Sequence, residues 1–156
     1  MKIKKILTLL LSCFMILTLA ACSSTDKGYF EGLEWGKSLN DINNSTKRVL
    51  VATAEGNAKS EDTTPIENLE TKSIMVTDVT YMFTADKLCE VVVNAEPSQS
   101  YNSFDALEEI KAEFTEKYTF KKQEANTYRW ETEQSVISVT AFDSRIIITY
   151  SQKTAQ

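Results

Sequence analysis

The 156-residue chain contains no histidine. Histidine is the commonest general base and the commonest metal ligand of proteins. Its absence removes the Ser-His and Cys-His pairs that activate most protein nucleophiles. Any enzymatic chemistry would have to use carboxylates or lysines, so the composition favours binding over catalysis.

Glycine is scarce as well, and the motifs that depend on it are missing. The chain has four glycines, and they form neither a G-x-G-x-x-G nor a Walker pattern for phosphate binding. The serines lie in neither G-x-S-x-G nor S-x-x-K, two nucleophile motifs of hydrolases. The sequence also has no EF-hand spacing, Cys/His cluster or H-E-x-x-H motif, so it predicts no metal site and no cofactor.

Positive charge is in the minority. Residues 1–22 hold three lysines and no acidic residue, so the rest of the chain has 14 basic and 22 acidic residues and a formal charge of −8. An acidic domain is repelled by phosphate backbones, so nucleic acid is not an expected partner. The same charge argues against electrostatic attachment to an anionic membrane surface.

The N-terminal segment is typical of a secretory signal peptide. Three lysines precede an apolar run from Ile6 to Leu19, and small residues follow it. The run is shorter than the ~20 apolar residues that span a bilayer, and a polar stretch at 23–27 follows at once. A transmembrane helix, the alternative interpretation, is therefore disfavoured.

The end of this segment, Leu19-Ala20-Ala21-Cys22, resembles the lipobox of bacterial lipoproteins. The resemblance implies cleavage before Cys22 and a diacylglycerol thioether on its sulfur. Two acyl chains suffice for stable anchoring. We therefore expect a signal peptide at 1–21, a lipidated cysteine and tether at 22–29, and localisation at the extracytoplasmic face of the cell membrane. Ser23, which is not an aspartate, would allow transfer to the outer membrane in a diderm bacterium.

Cysteine is nearly absent from the mature chain. Cys13 leaves with the signal peptide and Cys22 takes the lipid, so Cys89 is the one remaining thiol and no internal disulfide is possible. Cys89 lies in an apolar run and is expected to be a small buried hydrophobe. A reactive or intermolecular thiol is the alternative. Packing alone must hold the domain together.

The hydrophobic pattern predicts one α+β domain over residues 30–152. A short helix should follow Ser38, which forms a capping-box variant with Asp41. A longer amphipathic helix should run from Asn102 or Ser103 to about Tyr118, with Phe104 on its apolar face. Strands are predicted at 48–54, 74–83, 88–95, 127–131, 135–142 and 145–150, with an exposed loop at 56–72. The order α-β-β-β-α-β-β-β indicates an antiparallel sheet with two helices packed on one face.

Charged side chains give no clear catalytic pair. Glu108 and Glu109 are neighbours on a helix and point about 100° apart. A glycosidase needs two carboxylates across a cleft, one of them with a raised pKa, and nothing in the sequence marks such a pair. Solvated acids are the simpler interpretation, and the short basic pair Lys47-Arg48 is expected to be solvated too.

Aromatic side chains are plentiful, with seven Phe, six Tyr and two Trp. Most should belong to the core. Some could form a binding patch, because aromatic residues dominate interface hot spots. Trp35, Tyr81 and Trp130 are the candidate partner-binding residues.

Three short motifs resemble small envelope lipoprotein domains. They are the helix opening from Trp35 to Ile42, the hairpin from Val79 to Leu88, and Trp130 followed by Ile137. They are similar to β-lactamase-inhibitor-protein-like domains and to the small lipoprotein of the outer-membrane barrel assembly machine. The resemblance implies helices packed on an antiparallel sheet whose exposed face binds proteins, and it implies no catalytic residues.

Together these patterns predict a membrane-anchored, non-enzymatic module that binds a protein or a small ligand. The expected partners are the membrane, through the lipid on Cys22, and another envelope protein. An envelope assembly factor is one alternative. A carboxylate-based hydrolase of envelope glycans is a weaker one.

Overall fold

The computed structural model describes residues 27–154. The predicted signal peptide and Cys22 lie outside the described residues. Residues 27–154 contain two helices and an eight-stranded antiparallel sheet, which confirms the α+β class. The helices are α1 (Leu39–Ser45) and α2 (Ser103–Lys117), preceded by a 3-10 turn at Phe30–Gly32. The strands are β1 (Val51–Ala52), β2 (Ala58–Ser60), β3 (Ile74–Thr84), β4 (Lys87–Pro97), β5 (Thr119–Glu124), β6 (Thr127–Glu131), β7 (Ser135–Ala141) and β8 (Ile146–Gln152).

The sheet joins two four-stranded meanders. Its spatial order is β1-β2-β3-β4-β8-β7-β6-β5, so the two halves meet where β4 pairs with β8. Helix α1 precedes the first meander, and α2 connects it to the second. The chain is therefore a helix and four strands, followed by a second helix and four more strands.

The capping box that the sequence predicts at α1 is confirmed. The Ser38 hydroxyl accepts a hydrogen bond from the Asp41 backbone N–H at 3.3 Å, and the Asp41 carboxylate accepts one from the Ser38 N–H at 3.2 Å. The helix ends after seven residues, because the asparagines and the serine of its second half have low helix propensity. Ile42 is its buried residue.

Helix α2 begins as predicted, but its buried stripe differs by one residue. The Asn102 side chain caps it by accepting hydrogen bonds from the N–H groups of Phe104 and Asp105. The prediction that Phe104 faces the core is wrong, since this side chain is 54% exposed. The stripe instead begins at Ser103, whose hydroxyl donates to the Asp143 carbonyl at 2.9 Å. The other buried residues of the helix are Ala106, Leu107, Ile110 and Phe114.

Two strands were not predicted, and one prediction was too long. Strand β2 lies inside the predicted loop at 56–72, and the predicted strand at 48–54 is reduced to Val51–Ala52. Strand β5 is exposed along its whole length, and within residues 27–154 it pairs with β6 alone. Because no residue of its sequence TFKKQE is buried, the strand shows no alternation of apolar and polar residues. The two lysines and the bulge near Lys121 protect this edge from pairing with other chains.

Alternate residues of the central strands are buried and form one core with the helices. Strands β7 and β8 follow the alternation expected of a sheet with one covered face, and β4 does so from Val91 to Ala95, beyond the bulge at Cys89. Their buried side chains form one cluster with Phe30, Ile42 and Phe114. Between residues 27 and 154, no helix has the length and apolarity needed to cross a membrane.

Candidate functional site

A buried ion pair links the segment after α1 to the 3-10 turn. The Arg48 side chain is 2% exposed, and that of Glu31 is nearly as well covered. Arg48 Nη2 donates to Glu31 Oε1 at 2.7 Å, and Arg48 Nε donates to Oε2 at 3.1 Å. This two-point geometry is the strong form of the arginine–carboxylate interaction. The expectation that Lys47-Arg48 is a solvated basic pair is therefore wrong for Arg48.

The same guanidinium holds the loop that follows β2. Nη1 donates to the Asp62 carbonyl at 2.9 Å, and Nη2 donates to the Thr64 carbonyl at 2.9 Å. Arg48 thus joins three chain segments that are distant in sequence. Local sequence gives no signal for this role, because every partner lies at least 14 residues away.

Glu31 adopts a backbone conformation that L-residues avoid. Its φ of 46° and ψ of 34° lie in the left-handed region, which costs roughly 1–2 kcal/mol for a residue with a side chain. Such strain persists where surrounding contacts fix the residue, and it is concentrated at functional sites. Here the contacts with Arg48 fix the carboxylate.

A cavity of about 240 Å³ adjoins the Glu31–Arg48 pair. Its volume is below the ~300 Å³ at which pockets for drug-sized ligands begin, so it suits a smaller molecule. We call it the Arg48 cavity. Its wall carries hydroxyl, ammonium and carboxylate groups beside a larger share of apolar surface. The lining residues are Glu31, Ser45, Thr46, Lys47, Arg48, Asp62, Thr64, Pro65 and Glu67.

The Tyr81 hydroxyl is buried near several residues that line this cavity and has no hydrogen-bond partner among residues 27–154. Tyr81 is 0% exposed, and burial raises its pKa to about 12. The Thr46 hydroxyl is near enough to oppose this rise without meeting hydrogen-bond geometry, and Glu31, Arg48 and Asp62 also influence the pKa. All four neighbours line the cavity, whereas Tyr81 itself is not among the lining residues, so its hydroxyl is buried near these groups rather than exposed to the cavity. An unpartnered buried hydroxyl costs about 1–3 kcal/mol.

Trp35, Tyr81 and Trp130, the candidate partner-binding residues, do not form a surface patch. Tyr81 and Trp130 are both 0% exposed and belong to the core. They lie on β3 and β6, separated by β4, β8 and β7. Trp35 is half-buried, and its indole N–H donates to the Ser135 hydroxyl at 3.0 Å. A partner on the surface would therefore reach only Trp35, and Tyr81 matters instead through its hydroxyl.

Cys89 is half-buried, whereas the sequence predicted a fully buried residue. It lies at the β-bulge of the β3–β4 hairpin, where its thiol donates to the Met82 carbonyl at 3.4 Å. The thiol also lies 3.4 Å from the Thr84 hydroxyl. The surroundings of Cys89 are thus polar on one side.

The acidic side chains of residues 27–154 form no group of three or more that could hold a metal ion, with or without Cys89. Glu108 lies in a different arrangement, where it accepts hydrogen bonds from the Tyr128 hydroxyl at 2.5 Å and from Lys111 at 2.9 Å. These bonds lower the pKa of Glu108. A general acid needs the opposite shift.

Comparisons with protein-family models, with curated proteins and with solved structures gave no significant match. The likeness to small envelope lipoprotein domains therefore stays a prediction from short motifs.

Proposed function

We propose that this chain is a lipid-anchored extracytoplasmic module that binds a small polar molecule in the Arg48 cavity. The observation that carries the proposal is a preformed cavity lined by the buried Glu31–Arg48 ion pair, with the unpartnered Tyr81 hydroxyl buried near its wall residues. A small number of fixed polar groups around a preformed concavity is the usual form of a ligand site.

The chemistry of the wall favours a ligand that carries hydroxyl groups or charges of both signs. The Asp62 carboxylate accepts hydrogen bonds from the Thr64 N–H and hydroxyl, which lower its pKa and keep it ionised. Lys47 Nζ lies 2.9 Å from a Glu67 carboxylate oxygen at the exposed rim. Both signs are thus present, and a sugar or a zwitterion fits them better than an apolar molecule does.

The proposal is for binding without catalysis. A carboxylate hydrolase would need an acid whose pKa is raised. Among residues 27–154, the carboxyl groups with a resolved shift are all lowered: Asp41, Asp62, Glu108, Glu124 and Glu131. This pattern supports the non-enzymatic reading.

The anchor and the layout of the helices are part of the same proposal. The lipobox supports lipidation at Cys22, and the described fold begins five residues later at Lys27. We further infer that both helices lie on one face of the sheet. This is supported by the presence of Ile42 from α1 and Ile110 from α2 in the same buried cluster.

The ligand proposal is tested by thermal-shift screening of sugars, amino acids and small zwitterions against the chain from Cys22 to Gln156. A true ligand raises the Tm of the wild-type chain, since it binds only the folded state. It should bind Asp62→Asn at least several-fold more weakly, because Asp62 lines the cavity. Asp143→Asn is the matched control, because Asp143 lies outside the cavity. Equal affinity of the wild type and Asp62→Asn would contradict the site.

The anchor is tested separately in cells. The full chain should incorporate radioactive palmitate, and Cys22→Ala should not. Palmitate labelling of Cys22→Ala would disprove lipidation at this residue without affecting the proposal for the cavity.

An envelope assembly factor is the second candidate, and the outward face of the sheet favours it. Thr80, Val92, Thr149 and Ser138 form one outward row across β3, β4, β8 and β7. This row is uncharged and half-exposed, as a protein contact surface often is. A photo-crosslinker at Thr149 that captures a single envelope protein would support this role, and no crosslink above background would count against it.

A further inference from the structure

The chain enters the fold at the turn between β6 and β7. The Lys27 carbonyl accepts hydrogen bonds from the Thr132 hydroxyl at 2.9 Å and from the Gln134 N–H at 3.3 Å. Gly28 has a φ of +78° and lies so close to Thr132 that a Cβ would come within 2.3 Å of that side chain. The start of the described chain is therefore held firmly at this turn.

The C-terminal segment returns to the same place. The Lys153 N–H donates to the Gln134 carbonyl at 2.9 Å, and Lys153 Nζ lies 3.4 Å from the Thr132 carbonyl. Strand β5 also begins here, since Thr119 pairs with Glu131. We call this region the anchor end and define it by Lys27, Lys121, Glu131, the 132–134 turn and Lys153.

The anchor end carries positive charge in an acidic domain. A groove of about 470 Å³ opens here, and its wall contains three lysines and two glutamates. Lys121 Nζ and Lys153 Nζ each lie 3.3 Å from the same Glu131 oxygen. The anchor end holds three lysines (Lys27, Lys121 and Lys153) and two glutamates (Glu131 and Glu133), so its formal charge is +1 in a domain that is acidic overall. The side chains of Lys121 and Lys153 are 44% and 41% exposed, so both are accessible to a ligand in solution or at a membrane surface.

The position of the anchor brings this charge to the membrane. Five Cα–Cα steps separate Cys22 from Lys27, which span at most about 18 Å. Strand β7 alone is seven residues long and extends roughly 23 Å away from the anchor end. A lipid on Cys22 therefore restrains the anchor end near the bilayer, while the 143–144 turn lies at the far end of the sheet.

We propose that the anchor end rests on the bilayer with Lys27, Lys121 and Lys153 in contact with the phosphates of anionic phospholipids. The proposal rests on the lipid anchor, and it fixes the orientation of the domain. It also revises the expectation from net charge. The formal charge of −8 over the mature chain is unevenly distributed, so that one end is attracted while the acidic remainder is repelled.

The test attaches the chain from Cys22 to Gln156, with Cys89→Ser, through its Cys22 thiol to a maleimide lipid. The vesicles are either pure phosphatidylcholine or equal parts of phosphatidylcholine and phosphatidylglycerol. Lysine acylation is then read residue by residue with mass spectrometry. We expect acylation of Lys121 and Lys153 to slow several-fold on the anionic vesicles and that of Lys72 to stay unchanged. About 1 M salt, which shortens the Debye length to about 3 Å, should remove the difference.

Charge reversal separates orientation from simple proximity. The variant Lys121→Glu/Lys153→Glu should lose the protection of Lys27 on anionic vesicles. The matched control Lys59→Glu/Lys72→Glu makes the same change of charge away from the anchor end. In this variant Lys27 should stay protected from acylation on anionic vesicles. Equal acylation on both kinds of vesicle, or equal protection of Lys72, would overturn the orientation. The outcome is independent of natural lipidation, because the maleimide lipid replaces the natural anchor and palmitate labelling tests that anchor separately.

Discussion

The guanidinium of Arg48 and the carboxylate of Glu31 meet at 2.7 Å in a site that excludes most solvent. Like a disulfide, the pair links segments that are distant in sequence, namely the 3-10 turn, the segment after α1 and the loop after β2. Buried pairs of this kind contribute little net stability over a hydrophobic replacement, but removal of one partner leaves an unpaired buried charge.

Loss of Arg48 should therefore be severe. We expect Arg48→Ala to lower the free energy of unfolding by about 3–5 kcal/mol, because Glu31 would remain buried without a partner. Urea unfolding measures the change. Lys47→Ala is the control, since this neighbouring lysine is largely exposed and should change stability by less than about 1 kcal/mol. The double variant Arg48→Met/Glu31→Leu should be more stable than Arg48→Met alone, because it leaves no unpaired buried charge. If the changes in unfolding free energy of the two single variants simply add up in the double variant, the two side chains are not directly coupled.

Tyr81 should make stability depend on pH in the alkaline range. Its pKa is raised from 10.0 to about 12 in the folded state. Below pH 10 both the folded and the unfolded states keep the phenol proton, so its contribution is fully present. Between pH 10 and 12 the unfolded state loses the proton first, and stability falls by up to about 1.4 kcal/mol per pH unit.

The measurement is the difference in free energy of unfolding between the wild-type chain and Tyr81→Phe at a series of pH values. That difference should shift in favour of Tyr81→Phe as the pH rises from 10 to 12. Tyr29→Phe serves as a control for the general effect of tyrosine ionisation. A difference that stays constant over this range would mean that Tyr81 is not buried as the structure shows.

The β3–β4 hairpin carries strain that a single substitution should relieve. Ala85 and Asp86 form a two-residue turn with φ of 50° and 61°, the left-handed conformation of a type I′ turn. Ala85→Gly should raise the free energy of unfolding by about 0.5–1 kcal/mol, since glycine adopts this conformation without steric cost.

The control for Ala85 has the opposite sign. Ala112 is exposed within α2, where Ala→Gly costs about 1 kcal/mol through lost helix propensity. Thermal unfolding of both variants compares the two effects. Destabilisation by both substitutions would contradict the turn conformation.

Glu113 should control local opening of the loop before β3. Its carboxylate accepts hydrogen bonds from the N–H groups of Glu70 and Thr71 at 2.8 and 3.0 Å and pairs with Lys117. Glu113→Ala should make the Glu70 and Thr71 amides exchange hydrogen about ten- to a hundredfold faster, because each lost bond is worth about 1–3 kcal/mol. Exposed Glu116 on the same helix is the control. Unchanged exchange in Glu113→Ala would show that the loop is held elsewhere.

Much of the fold could be predicted because its signals are local. Ser38 and Asp41 are three residues apart, the stripe from Leu107 to Phe114 repeats along one helix, and β7 alternates apolar and polar residues from Ile137 to Ala141. These features depend on neighbours in sequence. Edge strand β5 was missed because none of its residues is buried. Strand β2 was missed because it is three residues long and its two buried residues, Ala58 and Ser60, are small. The pairing of both strands also depends on other strands of the sheet.

The candidate site could not be predicted in the same way. Tyr81 was singled out as an aromatic, but its burial beside the Arg48 cavity follows from sheet register. Arg48 and Glu31 are 17 residues apart, and nothing in either neighbourhood distinguishes them from solvated charges. Their roles exist only after folding brings the 3-10 turn and the loop after β2 together.

By itself the sequence determined the α+β class, the first turn of each helix, the lipobox pattern and the acidic net charge, since each is set by residue identity and short spacing. Only the tertiary structure decided which charged residues are buried and where the unpartnered Tyr81 hydroxyl lies. It also decided that Lys121 and Lys153 lie close to Lys27, at the start of the described chain. Those relationships depend on contacts between distant segments, and contacts across a sheet are fixed by register rather than by local composition.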